Sequence, residues 1–248
     1  MRPDPYAWSL HPEATVAVLA LTGGYALVVL RFPAPPWRVA CFAGAALLLL
    51  ATAITPLDPL SYHLLTMHLL QNVILAEWAP LLLVLAVPPE LARAIARRRV
   101  VRELVRPPVA IAVWLGTYYL WHLPLAYDTA LEQPVLLHLE HATYVVAGAI
   151  LWWSVVQDEP WRLATGTRVF VVLAAFVLGS PLGLLLALLP EPIYDYYADA
   201  PGLRGLDPLV DQQAAGITMA SEQAVVFFAA FAFLFVRFLS EQEAEPAR

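Results

Sequence analysis

Residues 60–88 read LSYHLLTMHLLQNVILAEWAPLLLVLAVP, an apolar segment that is long enough to cross a lipid bilayer as a helix. Nevertheless it carries His63, Met67, His68, Gln71, Asn72 and Glu77. Polar groups are costly inside a membrane, so several of them on one spanning helix indicate a functional site. At 100° per residue, all of these except Glu77 share about half of the helix circumference. We therefore expect this face to contact protein and not lipid.

The composition is that of an integral membrane protein. Of the 248 residues, 60% are hydrophobic and 14% are charged, whereas soluble domains carry about 25% charged residues. The chain lacks the alternating pattern of a β-barrel, so helices must satisfy the backbone in lipid. We predict an all-α transmembrane helix bundle that forms one domain, 1–248. Its seven spans are predicted at 14–32, 37–57, 61–87, 108–127, 134–156, 168–190 and 211–239.

The arginines predict the orientation of the bundle. All 14 basic residues are arginines, and 12 of them, including Arg248, fall in connections on one side of the predicted bundle. The other side has only Arg2 and Arg204. Because basic connections stay in the cytoplasm, we expect the amino terminus outside and the carboxy terminus in the cytoplasm. Six arginines in 93–106 are a topology determinant on this interpretation, with a docking surface as the alternative.

Several function classes are excluded or disfavoured. The chain has no lysine, which rules out a Schiff base or a P-loop, and its single cysteine, Cys41, cannot form an internal disulfide. The sequence HLEH at 138–141 is not a zinc-protease motif, and no G-x-S-x-G motif occurs. We therefore expect a protein that is not an enzyme and has no nucleic-acid partner.

Five histidines fall at a similar predicted depth, near the outer ends of three spans. They are His63, His68, His122, His138 and His141. Imidazole nitrogen and thioether sulfur are ligands for copper, whereas Mg²⁺ and Ca²⁺ prefer oxygen. We predict a copper site at the outer leaflet, formed by these histidines with Met67 and Met219 as soft ligands.

Further polar side chains are predicted to support this site: Asn72, Glu140, Asp211, Gln212, Gln213 and Glu222. His138 and His141 share a helix face, whereas Glu140 points elsewhere and could orient a histidine of a neighbouring helix. Each histidine has an alternative role as a hydrogen-bond partner between helices. Met219 has an alternative role in packing.

Three stretches resemble a known family. They are WHLPLAYDTALEQPVLLHLEHATYVVAGAILWW (121–153), HLLTMHLLQNVILAEWAPLLLVLAVPPEL (63–91) and DQQAAGITM (211–219). Together they are similar to the CtaG family of cytochrome c oxidase assembly factors. The resemblance implies a multi-pass protein of the bacterial plasma membrane, with cytochrome c oxidase subunits as partners and a role in copper delivery.

The resemblance also implies site positions in this chain: His122, His138, His141, Asp211, Gln212 and Met219. The family places two histidines, four residues apart, ahead of an Ala-Pro pair. Here His68 fits the first position and Asn72 occupies the second, which leaves His63 as a possible substitute.

Two other functions remain open from the residues alone. A membrane heme protein would use two histidines as axial ligands, with His68 and either His138 or His122 as candidates. A metal or proton transporter would need polar groups that continue to the cytoplasmic side. The inner halves of the spans are almost entirely apolar apart from Glu77 and Glu222, which disfavours a through-pathway.

Overall fold

The computed structural model describes residues 2–8, 12–199 and 202–244, and within these ranges it contains helices and turns but no strand. His11 and Arg248 lie outside the described residues. In chain order the helices are α1 (Pro12–Arg31), α2 (Pro36–Ile54), α3 (Leu57–Ser61), α4 (Leu65–Ala86), α5 (Pro89–Ala96), α6 (Arg99–Leu104), α7 (Pro107–Trp121), α8 (Pro124–Glu132), α9 (Pro134–Val156), α10 (Thr165–Leu188), α11 (Asp195–Ala198) and α12 (Pro208–Ala244).

The predicted transmembrane helix bundle is confirmed. In the described part of the chain, α1, α2, α4, α9, α10 and α12 are long and apolar enough to cross a membrane, and α7 with α8 is a bent pair that would make a seventh span. Proline begins α1, α2, α5, α7, α8, α9 and α12. Proline suits the first helical position because its fixed φ is already helical and no hydrogen bond needs its missing N–H. The two long connections contain the short helices α5, α6 and α11.

The predicted span at 61–87 begins later in the structure. Leu64 is extended, with φ −133° and ψ 123°, and α4 starts at Leu65. His63 therefore lies in the connection before α4, and the prediction that it shares a helix face with His68 is wrong. The Nε2 atom of His63 instead lies 2.7 Å from the carbonyl oxygen of Pro3.

The predicted span at 108–127 is broken near its carboxy-terminal end. Helix α7 ends at Trp121 and α8 begins at Pro124, with an angle of 71° between the two axes. The cause is local, because a proline disfavours a helical conformation in the residue before it. His122 consequently caps the end of α7 and does not lie within a continuous helix.

Two close helix contacts position the site. A Cβ atom on Gly148 of α9 would lie 2.1 Å from the carbonyl oxygen of Ala76 in α4. A Cβ atom on Gly216 of α12 would lie 2.5 Å from the carbonyl oxygen of Gly183 in α10. Small residues at such contacts allow helices in a membrane to approach closely. The contact at Gly148 holds α9 against α4. These two helices carry polar residues of the site described below.

Candidate functional site

Buried polar side chains gather where α4, α9 and the break between α7 and α8 meet. His68 of α4 and Glu140 of α9 are completely buried, and His122 at the break is 5% exposed. Tyrosines belong to the hydrophobic core at this level: Tyr118, Tyr127, Tyr144, Tyr194 and Tyr197. Imidazole rings, a carboxyl group and phenol groups therefore occupy the interior of the bundle here.

The hydrogen bonds of His68 fix its tautomer. The hydroxyl of Tyr197 donates to the carbonyl oxygen of Ser61 at 2.5 Å, and the Nδ1 atom of His68 lies 3.2 Å from the same hydroxyl. A hydroxyl has a single hydrogen, so Nδ1 of His68 must be the donor to Tyr197. In the neutral ring the Nε2 atom then carries the lone pair. This Nε2 atom is buried and has no hydrogen-bond partner among the described residues.

Glu140 lies opposite this lone pair. Its Oε1 atom is 3.6 Å from Nε2 of His68 and accepts a hydrogen bond from Nδ2 of Asn72 at 2.9 Å. The Oε2 atom is buried without a partner in the described chain. A carboxylate and an imidazole lone pair repel each other unless a positive charge lies beside them. The position between His68 and Glu140 therefore favours a proton or a metal cation.

His122 has the same tautomer as His68 for a similar reason. Its Nδ1 atom lies 2.8 Å from the carbonyl oxygen of Tyr118, which can only accept a hydrogen bond. The Nε2 atom again carries the lone pair, and it is buried without a partner in the part of the chain that is described. Metal-binding histidines typically donate their other N–H to a carbonyl or carboxylate in this way.

His141 connects His68 with a cavity. The ring centres of His68 and His141 are 6.2 Å apart, and Nε2 of His141 is buried without a described partner. His141 also lines a cavity of about 610 Å³ between α1, α2, α4 and α9. Tyr62 lines the same cavity, and its phenol stays neutral because burial, with a smaller effect of Asp58, raises its pKa to about 12.

Tyr127 is a member of this cluster that the sequence analysis missed. Its ring centre lies 5.0 Å from His68 and 5.9 Å from His122, and its buried hydroxyl has no hydrogen-bond partner among the described residues. Its ring also stacks on Tyr194 at 4.1 Å. The sequence signal was present, because tyrosines are frequent in the stretches 118–127 and 194–197, but composition alone did not pair them with the histidines.

The structure does not bring all the predicted ligands together. His138 is 57% exposed at its side chain and lies 3.8 Å from Glu13, on the cavity wall. His63 contacts the amino-terminal segment, as described above. Met67 is partly buried, and Met219 is buried within the hydrophobic core. The structure therefore places His63 and His138 outside the buried cluster that contains His68, His122 and His141.

Asp211 and Gln212 hold backbone segments that border the site. The carboxylate of Asp211 accepts hydrogen bonds from the Leu65 N–H at 2.6 Å and from the Thr66 hydroxyl at 2.7 Å, at the first turn of α4. The side chain of Gln212 accepts from the Ile193 N–H at 2.8 Å and donates to the carbonyl oxygen of Glu191 at 3.1 Å. These contacts fix the helix that carries His68 and the segment that leads to Tyr197. Gln213 and Glu222 are partly buried.

A second buried acid lies deeper on α4. Glu77 is completely buried within a π-helical turn, Ile74–Trp78, and its Oε1 atom accepts a hydrogen bond from Nε2 of Gln223 at 3.1 Å. The other oxygen, Oε2, is buried without a partner in the described residues. Glu77 lies about 14 Å from His68 along the helix axis, at 1.5 Å per residue. Glu77 is therefore separate from the histidine cluster.

The cluster is not a preformed chelate. Within residues 2–8, 12–199 and 202–244, no group of three His, Cys, Asp or Glu side chains is arranged to hold a metal ion. It does offer two histidines, His68 and His141, beside the carboxyl group of Glu140. The two rings are 6.2 Å apart between their centres, in an edge-to-face arrangement with 71° between their planes.

Comparison with known proteins agrees with the resemblance predicted from the motifs. Residues 23–241 match the family described as cytochrome c oxidase caa3 assembly factor, Caa3_CtaG. No curated protein and no solved structure matches the chain. The family match extends from within α1 almost to the end of α12, so it includes all the helices around the histidine cluster. The chain belongs to the cytochrome c oxidase caa3 assembly factor family.

Proposed function

We propose that the protein assists assembly of a caa3-type cytochrome c oxidase by holding a copper ion in the outer half of the bacterial plasma membrane. His68 and His141 are the primary ligands, and His122 is a further donor. Family membership supports the role in oxidase assembly and favours a function without catalysis. The copper cargo and its ligands are our proposal.

The observation that carries this proposal is the buried Nε2 atom of His68 beside Glu140. Its Nδ1 atom is held by Tyr197, and its Nε2 atom faces Glu140 at 3.6 Å without a hydrogen-bond partner in the described chain. A buried polar atom without a partner destabilises a protein by about 1–3 kcal/mol. A bound cation would remove that penalty and would also neutralise the carboxylate.

The donor chemistry favours copper over a hard cation. Neutral imidazole suits copper, zinc and iron, whereas Mg²⁺ and Ca²⁺ need several oxygen ligands. The primary donors here are the imidazoles of His68 and His141, with Glu140 as the nearby anion. Copper is also a cargo that a heme-copper oxidase requires during assembly. Low coordination by two imidazoles is compatible with Cu(I), which accepts few ligands.

The test is copper binding by detergent-purified protein, measured by mass spectrometry after loading with Cu(I) or Cu(II). We expect about one copper per chain in the parent protein. His68→Ala and His141→Ala should lower the copper affinity at least about tenfold, since even changes of supporting residues reduce metal affinity by 10- to 100-fold. His63→Ala is a matched control, because this histidine lies outside the cluster.

Three results would count against the proposal. A folded parent protein that binds no copper in either redox state would refute it. Equal copper loss in the His68 and His63 variants would refute the choice of ligands. A Soret band in the parent protein would favour the heme interpretation.

A matched assay in cells connects the site with assembly. Cells that depend on this protein should lose the activity of the caa3-type oxidase with His68→Ala and retain it with His63→Ala, at equal amounts of each variant in the membrane. Added copper should partly restore activity to the His68 variant if its defect is in copper supply.

A further inference from the structure

A cavity of about 610 Å³ lies beside His141 and has no part in the proposed function. Helices α1, α2, α4 and α9 form its walls, with further residues from α3 and the α3–α4 connection. It is partly open to the surroundings of the protein, so molecules outside the bundle have access to it. Its polar lining residues are Glu13, Thr52, Asp58, Tyr62, Gln71, His138 and His141.

The polar and apolar parts of the lining are separated by depth. On α1 the lining begins with Glu13 and continues to Leu21, which is about 12 Å further along the helix. On α9 it begins with Leu137 and His138 and ends at Val146, also about 12 Å from His138. The acidic and histidine side chains therefore lie at one end of the cavity, and its other end is apolar.

Glu13 and His138 stand together at the polar end. Their side chains are 55% and 57% exposed, and Oε1 of Glu13 lies 3.8 Å from Nε2 of His138. Asp58 lies on the same cavity wall and is 8% exposed. The carboxylate of Glu13 and the imidazole of His138 are both groups that can coordinate a cation, and they lie at the opening.

His141 links this opening to the buried cluster. It follows His138 by three residues on α9, so it lies about 4.5 Å deeper in the cavity. Its ring also neighbours the ring of His68 in an edge-to-face arrangement, with 6.2 Å between the two centres. A cation that moves from His138 to His141 would thus reach His68 and Glu140 without crossing the apolar end of the cavity.

We propose that this cavity is the access route for the copper ion, with Glu13 and His138 as a transient first binding point and His141 as the transfer ligand. This inference rests on the proposed copper-holding function. The ion travels about one helical turn, from the exposed pair to the buried histidines. Leu21, Leu49 and Leu75 line the apolar part and keep the ion at the level of His141.

The route makes a kinetic prediction that a ligand role does not. A residue that stabilises the ion on its path lowers the barrier in both directions, so it changes the association and dissociation rates equally. We expect Glu13→Gln with His138→Ala to slow copper association and dissociation by the same factor, about tenfold, since favourable charge at a cleft raises association rates by 10- to 1,000-fold. The dissociation constant should stay unchanged. The measurement is stopped-flow loading and chelator-induced release on the full chain.

A steric test uses two positions on the same helix. Ala142 lines the cavity, whereas Leu139 is 50% exposed and does not line it. Ala142→Trp should narrow the route and slow copper loading at least about tenfold, while Leu139→Trp should load at the parental rate. Both variants should reach the same final copper content, because neither changes a ligand.

The outcomes separate this inference from the proposed function. If the parent protein binds no copper, the proposed function fails and the route fails with it. If it binds copper and the Glu13/His138 variant loads at the parental rate, copper holding stands and the route is wrong. A lower affinity without a change in association rate would make these residues ligands and would also overturn the route. Parental loading by Ala142→Trp would refute this cavity as the path.

Discussion

Replacement of Asp211 tests whether the contact between α12 and α4 supports the histidine cluster. The carboxylate of Asp211 is 4% exposed and accepts hydrogen bonds from Leu65 N–H at 2.6 Å, Thr66 N–H at 3.3 Å and the Thr66 hydroxyl at 2.7 Å. It therefore caps α4 from another helix. His68 follows Leu65 by three residues, so a displaced first turn would also move the His68 ring.

The magnitude follows from these three contacts. Asp211→Ala leaves the buried Leu65 N–H without its partner, while the Thr66 hydroxyl can still donate to the Asp211 carbonyl oxygen at 3.1 Å. The loss of a charge-assisted bond and a helix cap should lower the free energy of unfolding by about 2–4 kcal/mol. Asp211→Asn keeps an acceptor for Leu65 N–H and should lose only about 1 kcal/mol.

The assay compares thermal unfolding in one detergent with a matched variant. Asp207 also caps a helix, by accepting from Leu209 N–H at 2.8 Å, but it is exposed and acts on its own helix, α12. Asp207→Ala should lose about 1 kcal/mol, a shift of roughly 2–4 °C in a chain of this size. Asp211→Ala should shift the midpoint by roughly 5–15 °C and weaken copper binding. If its shift does not exceed that of Asp207→Ala, the capping argument is wrong.

Three further predictions concern packing and the other buried groups. Gly148→Ala should destabilise the protein by more than about 3 kcal/mol, because its Cβ atom would lie 2.1 Å from a backbone oxygen of α4. By contrast, a Cβ atom on Gly116 would have nothing within 4 Å, so Gly116→Ala should stabilise α7 by about 1 kcal/mol. Thermal unfolding of both variants checks this pair. Glu77→Gln should fold normally, because its amide oxygen can still accept a hydrogen bond from Gln223. A folded fraction below half of the parental value on size-exclusion chromatography would contradict this. Tyr127→Phe should leave the unfolding midpoint of copper-free protein unchanged or higher, since the hydroxyl that it removes has no described partner; a fall of more than about 5 °C would show a hidden hydrogen bond.

The fold was predictable because the membrane restricts the choice of structure. Apolar runs of about 20 residues predicted the spanning helices, and prolines predicted where helices begin. Two breaks inside predicted spans were missed, at Leu64 and at His122. Both depend on a local change of backbone direction within an apolar stretch, and hydropathy does not detect such a change.

The candidate site was predictable in part. His68, Asn72 and Glu140 do lie together, with 3.6 Å between Nε2 of His68 and Oε1 of Glu140. The helical wheel could not place His63, because that residue precedes the helix. Depth along a helix also could not distinguish a buried His141 nitrogen from an exposed His138, since burial depends on the neighbouring helices.

The tyrosines were missed for a related reason. Tyr197 follows α10 in a connection, and its hydroxyl reaches His68 across 129 positions of sequence. Such a contact is set by the packing of α4, α8 and α11, so no local pattern predicts it. The motif residues Asp211 and Gln212 likewise act on distant backbone groups and do not contact a histidine through any described hydrogen bond. They contribute to the site by fixing the position of the first turn of α4 and of the segment at Ile193.

The two proposals draw on different parts of the chain. His68, Glu140 and His141 all lie within residues 23–241, which match the family, whereas Glu13 precedes that range. If copper holding is a property of the family, it should persist in members without an acid at the position of Glu13. Those members should exchange copper more slowly, because the charge that draws the ion toward the cavity would be missing. If members with and without that acid exchange copper at equal rates, Glu13 has no role in the route, and only the histidines of α9 remain part of it.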